Sequence, residues 1–519
     1  MTETLKKELQ PKPEAKPEEV VFPKFPPRNI LFVSSEVYPY AKTGGLGDVS
    51  SALPQMLREF QHDVRVIMPK YGFIGEKKQK IHIINRLQGI DIPIGGKEVL
   101  VNSKSSAILT PRTRVQIYLA ESEEYFQRTG LYIDPATGKD YPDNDERFIV
   151  FARSVFETCK RLLWKPDIIH CNDWQTGLIP AYLHSVYKDD PFFAGTKTVF
   201  TIHNLAFQGN FPATSFAKSG LPQEMLSPQG MEFFGQMSFL KSGLAYSDII
   251  TTVSQKYAEE IRTKEYGCGM ESLLNKRKRD LHGILNGVDL QVWDPAKDSN
   301  IVKTFSPTKL EGKEECKKDL CFAMGIPYQE GTPLIGLIAR LSDQKGLDLI
   351  AESMDQIIKS GAQLVVLGSG EKKYEDLFAK FSKKFPKQVG TYLGFHDNFA
   401  HKIEAGVDIF IMPSAYEPCG LNQMYSMRYG TIPVVRATGG LADTVTDYEE
   451  GTKKHPATGF TFEKYDAKAF WKALERAINL YRKDRSAWRE LQLTGMTKDF
   501  SWNKSALAYA ELYEKVLTK

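Results

Sequence analysis

Short, almost wholly apolar runs alternate along this chain with longer segments whose apolar residues recur at helical spacing. In the first half the runs are Asn29–Val33, Val64–Met68, Val115–Leu119, Asp167–His170, Lys197–Ile202 and Asp248–Val253. The second half has Pro333–Ala339, Gln363–Leu367, Gly390–Leu393, Asp408–Met412 and Ile432–Val435. Runs this apolar predict strands buried on both faces, as in parallel sheets, with the intervening segments as crossover helices. Right-handed crossovers then place helices on both sides of each sheet. The predicted fold class is α/β, with two doubly wound parallel sheets, because the strands fall into two sets. A chain of 519 residues is also too long for one ordinary core.

Between the sets lies Gly283-Ile284-Leu285-Asn286-Gly287-Val288-Asp289, followed by a polar tract at Asp294–Asn300. The domain junction is placed there, with a first domain at 29–282, a hinge at 283–290 and a second domain from 291. Residues 1–28 mix prolines with lysine and glutamate and hold few apolar side chains before Val20. They are expected to form a disordered tail. That tail lacks the apolar core of a secretory signal, and its glutamates argue against a transit peptide.

Composition narrows the function. Hydrophobic residues make up 42% and charged residues 25%, as in globular proteins. A net charge of +4 is too mild to argue for a nucleic-acid or membrane partner. No apolar run approaches the roughly 18 residues of a transmembrane helix. The six cysteines form no Cys-x-x-Cys pair and read as reduced thiols of a cytoplasmic protein. The patch Lys276-Arg277-Lys278-Arg279-Asp280 lacks an aromatic platform and is expected to be a solvated loop.

Open parallel sheets bind ligands beyond the carboxyl ends of their strands. After the first predicted strand comes Lys42-Thr43-Gly44-Gly45-Leu46-Gly47-Asp48-Val49, leading into a helix through Leu57. Such a glycine turn lets backbone N–H groups approach an anion, and the lysine adds a mobile charge. It matches neither the dinucleotide fingerprint nor the P-loop. The strand ending at His170 leads to Asn172, Asp173 and Trp174, and the one ending at Ile202 to His203 and Asn204. In the second half, Arg340 and Lys345 follow the first strand, Ser414, Tyr416, Glu417, Cys419 and Gly420 the fourth, and Arg436, Thr438, Gly439 and Gly440 the fifth.

Each of these has a structural explanation as well. Asp173 suits a helix cap, His203 a satisfied core position, Arg340 and Lys345 a charged surface, and Glu417 a first helical turn. Together they favour a cleft for a nucleotide and a polyhydroxylated partner. Arg340 and Lys345 suit a diphosphate, with Lys42 and the Gly44–Gly45 N–H groups in support. A diphosphate leaving a sugar carbon generates oxocarbenium character, and Glu417, Asp173 and His203 are the polar groups available to it. Asp143-Asn144-Asp145 has the Asp-x-Asp form of metal-dependent glycosyltransferases, but no strand immediately precedes it and Arg147-Phe148 follow. Helix capping is expected there, and no essential metal.

These segments carry a specific resemblance. Lys42–Val49 (KTGGLGDV) resembles the signature loop of bacterial glycogen synthases and plant starch synthases. The likeness continues, in order, through NDERF (144–148), NDWQTG (172–177), TIHNLAFQ (201–208), TVS (252–254), EYGCG (265–269), ILNGVD (284–289), RLSDQKGLD (340–348), EPCGL (417–421), 428–435 and TGGLADT (438–444). It implies the GT-B architecture, two Rossmann-like domains facing a cleft. The second domain would run to 498, and 499–519 would hold a last helix, Asn503–Thr518, crossing back onto the first. It further implies glucose transfer from ADP-glucose to the non-reducing end of glycogen or another α-1,4-glucan, with retention and without a metal or other cofactor.

By resemblance Lys42 contacts ADP-glucose, Arg340 and Lys345 lie near its diphosphate, and Glu417, His203 and Asp173 surround the transferred glucose. Gly44, Gly45, Asn204, Cys419, Gly420, Leu421, Thr438 and Gly439 complete the expected donor site. The wider retaining pattern E-x7-E has Tyr425 at its second position, as other synthases of this branch also lack that acid. Tyr125 and Phe126, near the expected acceptor, are read as core. Cys419 is read as a small packing residue whose modification would crowd the pocket. Three other readings compete: a GT-B transferase with another donor or acceptor, a glucan-binding protein on an inactive scaffold, and a pyridoxal-phosphate-dependent glucan phosphorylase.

Overall fold

The run Asn29–Val33 forms β1 at the centre of a ten-stranded sheet in the computed structural model, which describes residues 25–394, 396–450 and 456–518. The other strands that matter here are β2 (Asp63–Pro69), β3 (Lys97–Leu109), β4 (Arg114–Glu121), β5 (Ile168–Asn172), β6 (Lys197–Ile202), β7 (Ile249–Thr252) and β8 (Leu281–Gly283). Their order is β8-β7-β6-β5-β1-β2-β4-β3. Phe32 of β1 pairs in parallel with Val66 of β2 on one side and His170 of β5 on the other. Ile30, Leu31, Phe32 and Val33 are at most 2% exposed. At about 1.5–3 kcal/mol for each large apolar side chain fully buried, this explains why a run of four without polar alternation lies at the sheet centre.

The second sheet contains β9 (Leu334–Ile338), β10 (Gln363–Gly368), β11 (Val389–Leu393), β12 (Ile409–Met412), β13 (Ile432–Arg436) and β14 (Phe460–Phe462). All its pairs are parallel, in the order β11-β10-β9-β12-β13-β14. In both sheets the strand order reverses beside the first strand, between β1 and β5 and between β9 and β12. Such switch points open a crevice at the carboxyl ends of the strands.

The expectation of purely parallel sheets fails at one edge. β3 runs antiparallel to β4 and also pairs with Ile90–Ile94 through a turn at Gly95-Gly96, with φ of 56° and 81°. Ile90, Ile92 and Ile94 are buried while Asp91 and Pro93 are exposed, so this arm covers the core with one face only.

Five helices place the site: α1 (Gly45–Glu59), α2 (Gln255–Glu260), α3 (Asn422–Arg428), α4 (Gly439–Thr444) and α5 (Trp502–Leu517). α5 buries Trp502, Ala506, Tyr509, Ala510, Leu512, Tyr513 and Val516 in the core of the first sheet, not the second. Tyr513 Oη lies 2.7 Å from His170 Nδ1 on β5. The chain therefore crosses between domains twice, and the crossings lie side by side: Val288 N donates to Phe500 O at 2.7 Å. A Cβ on Gly287 would fall 2.5 Å from Trp502 Cα, so only glycine admits this approach.

Three further expectations need correction. Asp143 occupies an N-cap position, but its side chain does not cap; Arg128 holds it through two bonds of 2.7 and 2.5 Å. Lys276, Lys278 and Arg279 are exposed as expected, but Arg277 is half-buried, its guanidinium donating to the carbonyls of Leu244 and Ser247 and to Asp280. Of the predicted tail, residues 1–24 lie outside the described residues. Phe25 already packs on the first core, and Arg28 donates to both oxygens of Glu514 on α5 at 2.7 and 2.6 Å. Tyr125 and Phe126 are core residues, as expected.

Candidate active site

The loop after β1 is built around a carboxylate. Glu36 is 3% exposed and accepts from Thr43 N at 2.5 Å, Thr43 Oγ1 at 2.7 Å and Tyr132 Oη at 2.9 Å. The Gly44 N–H also faces it, and burial lifts its carboxyl above the usual range despite these donors. Two N–H groups of the glycine turn are thus held by the domain's own anion. Lys42 Nζ sits 2.8 Å from Asp48 at the start of α1, about a third exposed. No Cβ neighbour would lie within 4 Å of Gly44, so the space before it is open. Glu36 was missed in the sequence; its signal was a carboxylate three residues past an apolar strand.

Beyond β5 and β6, Asp173 and His203 are locked together. Asp173 Oδ1 accepts from His203 N at 2.7 Å, and Asp173 adopts φ 55°, a left-handed conformation that costs about 1–3 kcal/mol for a non-glycine residue. Its side chain does not cap the turn that follows. Burial pushes its carboxyl up to about 7. His203 Nε2 lies 2.9 Å from Asn172 Oδ1. Asn172 Nδ2 donates to the Val33 and His170 carbonyls, which fixes the amide orientation. His203 Nε2 therefore carries the proton and Nδ1 is a bare acceptor. Desolvation pushes the imidazole down to about 3, so it is neutral at physiological pH.

Burial of Asp173 ties stability to pH. Unfolded aspartate loses its proton near 3.8, whereas folded Asp173 keeps it to about 7. The folded state binds the extra proton between those values, so stability falls with rising pH across that window and then levels. Asp173→Asn should remove this part of the decline. Urea midpoints at pH 4.5 and 7.5 measure it, and identical slopes in wild type and variant would contradict the assignment.

In the second domain the strand ends converge on Glu417. Its Oε2 accepts from Lys345 Nζ at 2.7 Å and Ser414 Oγ at 3.0 Å, and its side chain is 8% exposed. Ser414 and Glu417 follow β12 and Lys345 follows β9, so the switch point itself makes the pair. Arg340 is exposed, with its guanidinium 6.0 Å from the Phe207 ring of the first domain. Gly439 and Gly440 begin α4 against this loop, and Gly440 N donates to Glu417 O at 3.1 Å. Cys419 is buried and its thiol is pushed up to about 12, which keeps it from the reactive thiolate form. Tyr425 is stacked 3.9 Å from Trp293, and Trp293 in turn 3.9 Å from His401.

The two rims touch. Asn204 hydrogen-bonds with Tyr416, and a Cβ on Gly45 would lie 3.7 Å from Leu421. Gly420 has φ 67° and lies over Gln423 at the start of α3. Thr438 and Gly439 are engaged by the first domain: Glu260 of α2 accepts from both. Sequence reading missed Glu260, which stands in an ordinary charged helix end. Among the described residues no three His, Cys, Asp or Glu side chains are grouped to hold a metal ion, and no helix is long and apolar enough to cross a membrane.

Comparison with known proteins agrees with this geometry. Residues 29–276 match the starch synthase catalytic domain family and residues 326–491 the glycosyl transferases group 1 family. Glycogen synthase of Desulforudis audaxviator is 43% identical over 505 residues, covering 95% of this chain and 97% of that protein. Glycogen synthase 2 of Geobacter sulfurreducens is 45% identical over 486 residues, covering 93% and 98%. The catalytic domain of starch synthase IV from Arabidopsis thaliana, solved with ADP and acarbose, superposes with a TM-score of 0.87 at 33% identity, covering 95% of this chain and all of that one. Sucrose-phosphate synthase from Thermosynechococcus elongatus, at 17% identity and a TM-score of 0.59, shares the fold. With two Rossmann-like sheets meeting at their switch points and relatives this similar along nearly its whole length, the chain belongs to the glycogen synthase and starch synthase family of GT-B glycosyltransferases.

Proposed function

We propose that this glycosyltransferase takes glucose from ADP-glucose, adds it to the non-reducing end of an α-1,4-glucan with retention, and releases ADP without a metal. The observation that carries the reading is the Lys345–Glu417 pair, which sets a cation and a carboxylate side by side at the switch point of the second domain. An ammonium has three donors and Glu417 takes one, so Lys345 can serve a diphosphate and Glu417 at once. Arg340 adds a second cation with a planar fork suited to phosphate. The catalytic domain of the Arabidopsis enzyme was solved bound to ADP and acarbose, which supports a nucleotide and a glucan as the ligands of this chain.

As the diphosphate departs, positive charge grows on the sugar ring, and Glu417 supplies the opposing carboxylate. His203 Nδ1, a bare acceptor, and Asp173 are suited to sugar hydroxyls. Position 425 offers a stacked phenol instead of a second carboxylate, so attack from the face the diphosphate leaves, with a phosphate oxygen taking the acceptor proton, accounts for retention. The cytoplasm, where nucleotide sugars are available, is the proposed compartment.

Nucleoside diphosphate release in the presence of glycogen, comparing ADP-glucose with UDP-glucose, tests the reading. Glycogen-dependent ADP release is expected, and release from neither donor would overturn it. Lys42→Ala is expected to raise the KM for ADP-glucose about tenfold, the effect of losing one charge-assisted bond of about 1.5 kcal/mol, while kcat changes little. An unchanged KM would remove Lys42 from the donor site.

A further inference from the structure

Glu260 is a buried carboxylate that crosses the seam between the domains. It ends α2, is 8% exposed, and accepts from Thr438 Oγ1 at 3.1 and 3.2 Å and from Gly439 N at 3.0 and 3.1 Å. The residues it holds lean on the Glu417 loop. Gly439 has φ 45°, and a Cβ there would fall 2.0 Å from Glu417 O; a Cβ on Gly440 would fall 2.0 Å from Cys419 O. Gly440 N also donates to Glu417 O at 3.1 Å. A first-domain carboxylate thus fixes residues 438–440, and these form one wall of the loop that carries Glu417.

We propose that Glu260 is a positioning residue that couples closure of the two domains to the seating of the Glu417 loop. When the domains part, Thr438 Oγ1 and Gly439 N exchange the carboxylate for water, and the wall behind residues 417–419 is released. On closure the bonds re-form together, so the carboxylate facing the transferred sugar is in place only when the cleft is shut. The inference rests on the reading that Glu417 stands at that sugar. A second seam contact serves as a control: Arg436 Nη2 donates to Tyr266 Oη at 3.1 Å, but Arg436 is also held by the Glu463 and Ala415 carbonyls. Loss of the Tyr266 hydroxyl therefore leaves the loop supported.

The experiment compares Glu260→Ala, Glu260→Gln, Thr438→Val and Tyr266→Phe in the full chain. It reads kcat, the KM for ADP-glucose, ADP affinity by calorimetry, and hydrogen exchange of residues 414–442 with ADP present. In Glu260→Ala, kcat should fall about 10–100-fold, as for a reacting group displaced by about an ångström, with KM and ADP affinity within about threefold. Exchange in 414–442 should quicken. Glu260→Gln, whose amide oxygen still accepts from Gly439 N, should restore most of both, and Thr438→Val should quicken the same exchange in smaller measure.

Tyr266→Phe should match wild type in rate and exchange. Wild-type kcat and exchange in Glu260→Ala would overturn the proposal, as would equal losses in Tyr266→Phe or no rescue by Glu260→Gln. If Glu260→Ala does not fold, Thr438→Val decides, and wild-type exchange of residues 414–442 in that variant overturns the proposal. Exchange needs no turnover, so a wild-type protein inactive with ADP-glucose would defeat the transfer reading while leaving this one to be decided on its own.

Discussion

Replacing Glu417 by alanine is expected to lower kcat by a factor on the order of 10²–10³, the loss seen when one preorganised group facing developing charge is removed. The carboxylate is 8% exposed, so its charge is weakly screened by solvent. Deleting it also releases Lys345 from its 2.7 Å partner and leaves that ammonium without its counter-charge. On the proposed reading the freed ammonium strengthens diphosphate binding, so the KM for ADP-glucose should stay level or fall while kcat drops. Glu417→Gln keeps the Ser414 bond and the shape but not the charge, and should be nearly as impaired. Steady-state assays with glycogen supply both numbers. A variant within about threefold of wild-type kcat would show that Glu417 does not face the charge that develops in the transition state.

The second large effect concerns stability. Lys317, 2% exposed, donates to Asp408 Oδ2 at 2.7 Å, to the Thr332 carbonyl at 2.6 Å and to Tyr481 Oη at 3.0 Å. The same Asp408 oxygen accepts from Leu334 N at 2.8 Å, at the entrance to β9. Asp408→Ala should destabilise the second domain by about 3–5 kcal/mol, because it leaves an ammonium buried without its counter-charge. Replacing both partners by apolar residues of similar volume should recover much of that loss, since the lone charge is the main penalty. Thermal denaturation of the wild type, the single variant and the double variant gives the comparison. An unchanged midpoint in Asp408→Ala would mean that water reaches Lys317.

The central strands were legible because burial on both faces leaves a chemical trace: a run such as Ile30–Val33 admits no polar residue. The convergence of the candidate residues was legible for a related reason, since strand ends in an open sheet all point to one crevice. The edge arm was missed although its evidence stood in the sequence. Ile90-Asp91-Ile92-Pro93-Ile94 alternates, and Gly95-Gly96 is a hairpin turn, but a search for continuous apolar runs passes over alternation. Asp143 misled in another way. A carboxylate before a helix suits a cap, and nothing local revealed that Arg128 would claim it.

Glu36 and Glu260 illustrate what a linear reading cannot supply. Each takes its meaning from partners set by tertiary packing: the N–H groups of the KTGG turn for the first, and Thr438 and Gly439 across the seam for the second. Tyr425 is similar. Its failure to be a glutamate was visible, whereas its place in a stack with Trp293 and His401 was not.

The helix α5 bears on how the protein is made. Its aromatic and aliphatic face completes the core around β1 and β5, and its Glu514 pairs with Arg28 at the very entrance to that sheet. All of the second sheet lies between β8 and α5 along the chain. During synthesis the second domain can therefore collapse as soon as it emerges, while the first, made earlier, waits with the groove beneath Tyr509 and Tyr513 uncovered. The older half of the molecule is the last to be finished, and in that interval its unfilled groove is the surface most in need of a chaperone.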